Sequence, residues 1–322
     1  MQTTNNNNNL KNMIMDKHII KKTSTHIGGN NIGKSFKIRI YPKYDDVCAD
    51  RIINPLVVFE LNNSDIEFDS TRIFKRIVVQ INGHDIDSLE ETNQIMIYQK
   101  KLGLEVRQIG QKVFFPIPIE CLNGFIPMPN SIMNILFQFT NNAMINYIDN
   151  IEFRNDVVIF DTKPDLKNQI IPINHVNYES VENIMSQGNT FCFYISVGYL
   201  EIKNILLYLS NKLSDTIYKE KCFEQIEFIF NGRIILSIDY ETLVYESYLL
   251  NPNLPKGVYQ VNWAKYHNGP YTTDDYFNVR VVGNCVPDPN IDLHICTDND
   301  AFFTYLDDGI GLKKYDTTIK LK

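Results

Sequence analysis

The chain has 322 residues, a net charge of −7, 44% hydrophobic and 21% charged residues, a composition that excludes a disordered chain and leaves room for two domains of ordinary size. Six cysteines are too few for a disulfide-stapled scaffold, and no apolar run reaches the roughly 18 residues of a membrane span. Residues 5–9 are all Asn where a signal peptide would carry its apolar core, so export by that route is not expected.

Ile (43) and Asn (37) make up about a quarter of the chain, whereas Ala occurs four times. Scarce Ala and abundant Ile, with 19 Phe and 18 Tyr, favour pleated, half-buried surfaces over helices. An AT-rich genome would produce part of the same bias. The reading is an all-β protein.

Residues 1–34 are polar and Asn-rich, and read as a flexible basic N-terminal arm with room for a short helix over 10–22. Residues 1–43 hold eight Lys/Arg against Asp16, for +7, so the remaining chain carries −14. An acidic body with a basic arm does not suit a nucleic-acid-binding domain. The arm alone suits an anionic contact such as an interior membrane, nucleic acid or an acidic neighbour; it reads equally as a solvated tail.

A first unit is expected over 35–165. Lys37-Ile38-Arg39-Ile40-Tyr41 alternates with period two, the mark of a half-buried strand. Further strands are predicted over 56–61, 73–81, 112–119, 132–140 and 156–160, separated by Pro, Asn and Gly. Ser88-Leu89-Glu90-Glu91 can form a capping box, and Leu89, Asn93, Ile97 and Lys101 follow at i+4 spacing, which predicts a helix over 89–101. Residues 166–189 read as a linker. The second unit, 190–322, carries predicted strands over 190–197, 199–209, 225–230, 233–238, 257–263, 277–282, 291–295 and 301–306.

The two units repeat. Adding 149 to residues 74–88 gives 223–237, and six of the fifteen positions are identical without a gap. The match includes Asn82-Gly83 and Asn231-Gly232. Asn-Gly favours a two-residue type I′ hairpin, where both positions need positive φ. These four residues are the structural positions the sequence singles out, and the repeat predicts two tandem β-sandwiches.

Chemistry is hard to place. The six His and six Cys form no HxH, HExxH or CxxC pattern, so neither a metal nor another cofactor is expected, and the cysteines read as free thiols. Asp298-Asn299-Asp300 and Asp307-Asp308-Gly309 lack calcium-loop spacing and read as surface turns. No nucleophile elbow, Walker loop or dinucleotide fingerprint occurs. No catalytic residue and no small-molecule substrate is predicted.

Residues 77–87, which contain Ile81-Asn82-Gly83-His84-Asp85-Ile86-Asp87 and precede Ile95-Met96-Ile97-Tyr98 on a helix, resemble the first jelly roll of capsid proteins from nucleocytoplasmic large DNA viruses and virophages. Phe115-Pro116-Ile117-Pro118 and Ile126-Pro127-Met128-Pro129 resemble that family's paired Pro segments. In the second half, residues 226–232, 250–263, 277–281 and 302–312 resemble the matching strands of its second roll. The resemblance covers about residues 36–315. It implies a double jelly roll with short helices in loops, no catalysis, and a homotrimeric pseudo-hexagonal capsomer in the shell of a DNA virus. It further implies neighbouring capsomers or minor capsid proteins as partners, a place in the virion, and assembly in the host cytoplasm. The small size and the short segment 120–124 keep a minor capsid or scaffold role open. Composition alone also keeps open a sandwich that binds carbohydrate or protein, with Tyr266 and Tyr271 about His267 as the aromatic cluster it would use.

Overall fold

Phe36 and Ile38 are buried while Ser35, Lys37 and Arg39 are exposed, the period-two pattern of a strand with one face on a core. The same physics recurs along the computed structural model, which describes residues 18–28, 34–40, 50–63, 72–81, 83–122, 132–141, 145–160, 170–181, 190–195, 201–211, 213–221, 223–267, 277–282, 290–306 and 309–311. The first half contributes β1 (His18–Gly28), β2 (Ser35–Ile40), β3 (Asp50–Leu61), β4 (Phe74–Ile81), β5 (His84–Leu89), helix α1 (Thr92–Lys101), β6 (Arg107–Ile109), β7 (Lys112–Pro116), β8 (Met133–Phe139) and β9 (Ile148–Phe160). The second contributes β10 (Ile170–Val181), β11 (Thr190–Ile195), β12 (Glu201–Asn211), β13 (Thr216–Ile217), β14 (Gln225–Phe230), β15 (Arg233–Asp239), helix α2 (Tyr240–Leu250), β16 (Val258–Asn262), β17 (Phe277–Val282), β18 (Ile291–Leu306) and β19 (Gly309–Gly311).

The pairings give four antiparallel sheets. Two belong to the first half, β1-β9-β3-β7-β6 and β2-β8-β4-β5. Two belong to the second, β10-β18-β12 with β16 and β13 on the far side of β12, and β11-β17-β14-β15. Setting aside the short β6, β13 and β19, each half has eight strands among the described residues. In both, strands one, eight, three and six form one sheet, and strands two, seven, four and five the other. That winding is a jelly roll, and the chain is two of them. Each roll places its helix between its fifth and sixth strands.

Each roll closes on its own aromatic interior. In the first, Phe36 stacks on Phe137 at 4.8 Å between ring centres, and Phe74 meets Phe115 edge-on at 4.9 Å. Such pairs add about 0.5–1.5 kcal/mol each beyond area burial. In the second, the lone Trp263 is fully buried against Phe228 and Phe277.

The hairpins follow local chemistry. Asn231 (φ +47°) and Gly232 (φ +74°) connect β14 to β15, whose last pair is Phe230 with Arg233. Gly83 (φ +84°) holds the corresponding place between β4 and β5; Asn82 lies outside the described residues. Helix α2 starts at Asp239, whose carboxylate accepts from the backbone N–H and the hydroxyl of Thr242, both at 2.8 Å. Those bonds hold the carboxyl below its ordinary range.

Several expectations are corrected. Residues 18–28, read as part of an arm, form β1 and pair along their whole length with β9. Lys21 and Lys22 thus sit on a strand, and only Lys11 and Lys17 of the basic cluster precede it. The supposed linker contains β10, paired with β18 from Ile170 to Val181; Pro172 is tolerated because β10 is a sheet edge. Helix α1 starts at Thr92, later than 89, because residues up to Leu89 pair with β4. Asp298-Asn299-Asp300 is no turn: it lies inside the sixteen-residue β18, with Asp298 and Asn299 buried. Asp307 and Asp308 lie outside the described residues, as do Tyr271 and the second Pro segment.

Candidate functional site: the seam between the rolls

Strand β12 carries Ile205-Leu206-Leu207-Tyr208-Leu209, all 6% exposed or less. A continuous buried run means a strand covered on both faces. Ile205, Leu207 and Leu209 point into the second roll's own core. Leu206 and Tyr208, with Val258 and Cys296 of neighbouring strands, join the core of the first roll instead. The outer face of the β10-β18-β12 sheet is therefore a seam, and α1, β5 and the turn at Glu120–Leu122 of the first roll abut it.

Polar groups register the seam. The Tyr98 hydroxyl donates to Asp298 Oδ1 at 2.6 Å, and Lys101 Nζ reaches Asp298 Oδ2 at 2.5 Å. Both donors come from the last turns of α1, 3 residues apart and so on one helix face. Burial, then the Asp298 charge, pushes the Tyr98 phenol well above its ordinary range, so it serves as a fixed donor. Beside it, Tyr178 donates to a Glu91 carboxylate oxygen, and Tyr178 Oη lies 2.8 Å from His294 Nδ1. Since the phenol has one hydrogen, Nδ1–H donates to it and Nε2 accepts from Ser210 Oγ at 2.6 Å. That assignment makes His294 neutral. Burial agrees, holding the imidazole down at about 4. The ring also stacks on Tyr208, 4.6 Å between centres. Burial raises the Glu91 carboxyl, against the hydrogen bonds from Tyr178 and Tyr208.

Other bonds cross at the margins. Asp87 Oδ1 accepts from Val176 N–H at 3.0 Å, Asn93 Nδ2 donates to Asp215 Oδ1 at 3.0 Å, and Asn251 Nδ2 donates to the Lys101 carbonyl at 3.1 Å.

The chemistry of this set is cohesion. His294, Glu91, Asp298 and Lys101 could act as acids or bases elsewhere, but here they satisfy one another in a packed interior. Among the described residues, no group of His, Cys, Asp or Glu could hold a metal ion. Buried Cys121 and Cys296 thiols are pushed well above their ordinary range, chiefly by burial, which makes them inert. The hairpin residues Gly83, Asn231 and Gly232 shape turns between paired strands. The seam residues escaped the sequence reading because their partners lie up to 200 positions away. One signal was available: the unbroken apolar run of β12.

No protein-family model matches the chain, and no curated sequence does. Solved structures match over nearly its whole length. VP54 of the virus PBCV-1, fitted into a reconstruction of the virophage Sputnik, aligns with a TM-score of 0.66 at 10% identity over 93% of this chain and 97% of that one. The major capsid protein P2 of bacteriophage PM2 aligns with a TM-score of 0.53 at 10% identity, over 90% and 100%. The Faustovirus major capsid protein aligns at 0.58 and 9% identity, over 89% and 91%. The eight-strand winding, its duplication and these alignments agree that the chain is a double jelly roll, the fold it shares with these viral proteins.

Proposed function

We propose that this chain is a structural capsid protein of a DNA virus, three copies of which form a pseudo-hexagonal capsomer of an icosahedral shell. The observation that carries the reading is the duplication: two rolls of one winding, locked by a buried seam, in a chain that spans 91–100% of the major capsid proteins it aligns with. Two similar units per chain and a three-fold arrangement give six similar units around one axis, and a closed ring satisfies every contact. Fold alone does not fix function; the ionisable seam residues give it chemistry, and they are spent on cohesion, so the reading is non-catalytic. The near-complete coverage also favours a major over a minor or scaffold role.

On this reading the protein resides in the virion, is assembled in the host cytoplasm, and contacts its own copies and neighbouring capsomers or minor capsid proteins. Residues 1–17, ahead of β1, are the part left to reach an interior membrane or nucleic acid. Deleting them should impair shell assembly and leave the capsomer intact. The test of the central reading is solution mass by light scattering: a stable species of three times 37.4 kDa supports it, and a strict monomer at high concentration opposes it.

A further inference from the structure

We infer that the exposed apolar face of α2 packs on the outer face of the β1-β9-β3-β7-β6 sheet of a second copy of this chain, repeating between chains the contact that α1 makes within one. The inference rests on the capsomer reading and names its interface.

The first observation is an asymmetry between matched parts. The offset of 149 that aligns the repeated strands carries α1 onto residues 241–250, which is α2 less its first residue. Yet seven of the ten residues of α1 are buried, between its own roll and the second roll, whereas α2 buries Leu243 and Ser247. Its Tyr245, Tyr248 and Leu249 are 61–65% exposed, with Val244 and Leu250 at 40%. A contiguous apolar face of this kind marks an interaction surface.

The second observation is the vacancy opposite. In the second roll, α1 covers the outer face of the sheet containing β12. In the first roll, β3 is the strand equivalent to β12, and its outward Leu56 lies beside Pro116 of β7. Leu56, Phe114 and Pro116 are half-buried rather than covered. Next to them a groove of about 630 Å³ is lined mostly by apolar residues, among them Leu56, Leu102, Leu104 and Ile117, with Asn54 and Glu120 as its polar members, a match for tyrosine and leucine side chains.

The charged groups also differ between the two places. Each third strand has a bulge, after Ile202 in β12 and after Ile53 in β3. The first pair beyond it is Asn204 with Asp298 in the second roll, and Leu56 with Arg154 in the first. Helix α1 ends in Lys100 and Lys101 and delivers Lys101 to Asp298. Helix α2 carries Glu241, which pairs with Lys221, and Glu246, and no Lys or Arg; the place in the first roll that matches Asp298 holds Arg154, paired with Glu152 in its own sheet. A helix-to-sheet contact between copies is head-to-tail, and it builds a ring when three such rotations close.

The test uses the full chain in two variants, Tyr248→Glu/Leu249→Glu on the helix face and Leu56→Glu on the sheet face, each checked for an unchanged circular dichroism spectrum. Light scattering should give a trimer for the parent and a monomer for each variant. An equal mixture of the variants should form a dimer, because one intact helix–sheet contact remains. A parent carrying Leu249→Cys and Leu56→Cys should form oxidised species that stop at three chains, while each single variant does not. Variants that stay trimeric, or a double-cysteine protein that never cross-links, would overturn this interface and leave the capsomer reading standing. A parent that is monomeric overturns both.

Discussion

Removing the Asp298 carboxylate should cost more than removing any one of its hydrogen-bond donors at the seam. Asp298 is 7% exposed, and it takes the Tyr98 hydroxyl (1% exposed) and the Lys101 ammonium together. In Asp298→Ala the phenol loses its acceptor, which costs about 1–3 kcal/mol for a buried polar group. The ammonium keeps Glu120 at 3.5 Å and the face of the Tyr98 ring. Breaking a buried ion pair from one side costs about 3–5 kcal/mol, and Lys101 retains 11% side-chain exposure, so the lower end applies. The two effects share one carboxylate and do not add fully, giving about 3 kcal/mol. Tyr98→Phe removes one donor and leaves Asp298 with Lys101 and Asn204, for about 1 kcal/mol. Urea unfolding measures both. Since one core cluster draws on both rolls, the parent should unfold in one transition, and Asp298→Ala should split or broaden it. A loss below about 1 kcal/mol for Asp298→Ala, or a larger loss for Tyr98→Phe, would refute the view that this carboxylate registers the rolls.

Acid should weaken the fold through His294. Its folded value of about 4 lies below the ordinary 6.5, so between them the unfolded chain binds a proton that the folded one does not. Stability is therefore full above pH 6.5 and falls toward pH 4, by about 3 kcal/mol for the isolated group. Glu91, raised by burial, opposes this slope. Urea midpoints at pH 7 and pH 5 should thus differ less in His294→Gln than in the parent, and an equal or larger difference would discount the histidine. Gly257→Ala should be far worse than Gly83→Ala: both positions have positive φ, but an added Cβ at 257 would sit 2.2 Å from the Tyr218 carbonyl, while at 83 it meets open space. Thermal melts should show about 1–2 kcal/mol for Gly83→Ala, the left-handed penalty, and several-fold more for Gly257→Ala. Trp263→Ala should cost about 3–5 kcal/mol by cavity formation, read by the same melts. Deleting residues 1–28 removes β1 and exposes the edge of β9, so it should lower solubility and melting temperature, unlike deletion of residues 1–17.

Much of the fold was legible because one-sided burial writes itself as alternation. Gln225–Phe230 and Phe277–Val282 fell where the pattern put them, and the Asn-Gly repeat exposed the duplication. The misses have physical causes. Helix α2 puts Val244, Tyr245, Tyr248, Leu249 and Leu250 outside and Leu243 inside, which erases the amphipathic period a sequence reader needs; its cap at Asp239 and Thr242 was the remaining signal. Strand β1 looked like a tail because Lys21 and Lys22 conceal a strand whose hydrogen-bond partner is more than a hundred residues away. Asp298 looked like a turn because an Asp-Asn-Asp string is polar, and the Tyr98 and Lys101 donors of another roll help make its burial tolerable. The seam is a long-range product of the winding, so its members had no local signature.

The proposed capsomer closes three copies into a six-unit ring. Electron microscopy of the purified protein tests it most directly. Particles with a three-fold axis and a near-hexagonal outline are expected, each chain supplying two adjacent units. Particles of one or two chains, or open filaments without a closed ring, would contradict it.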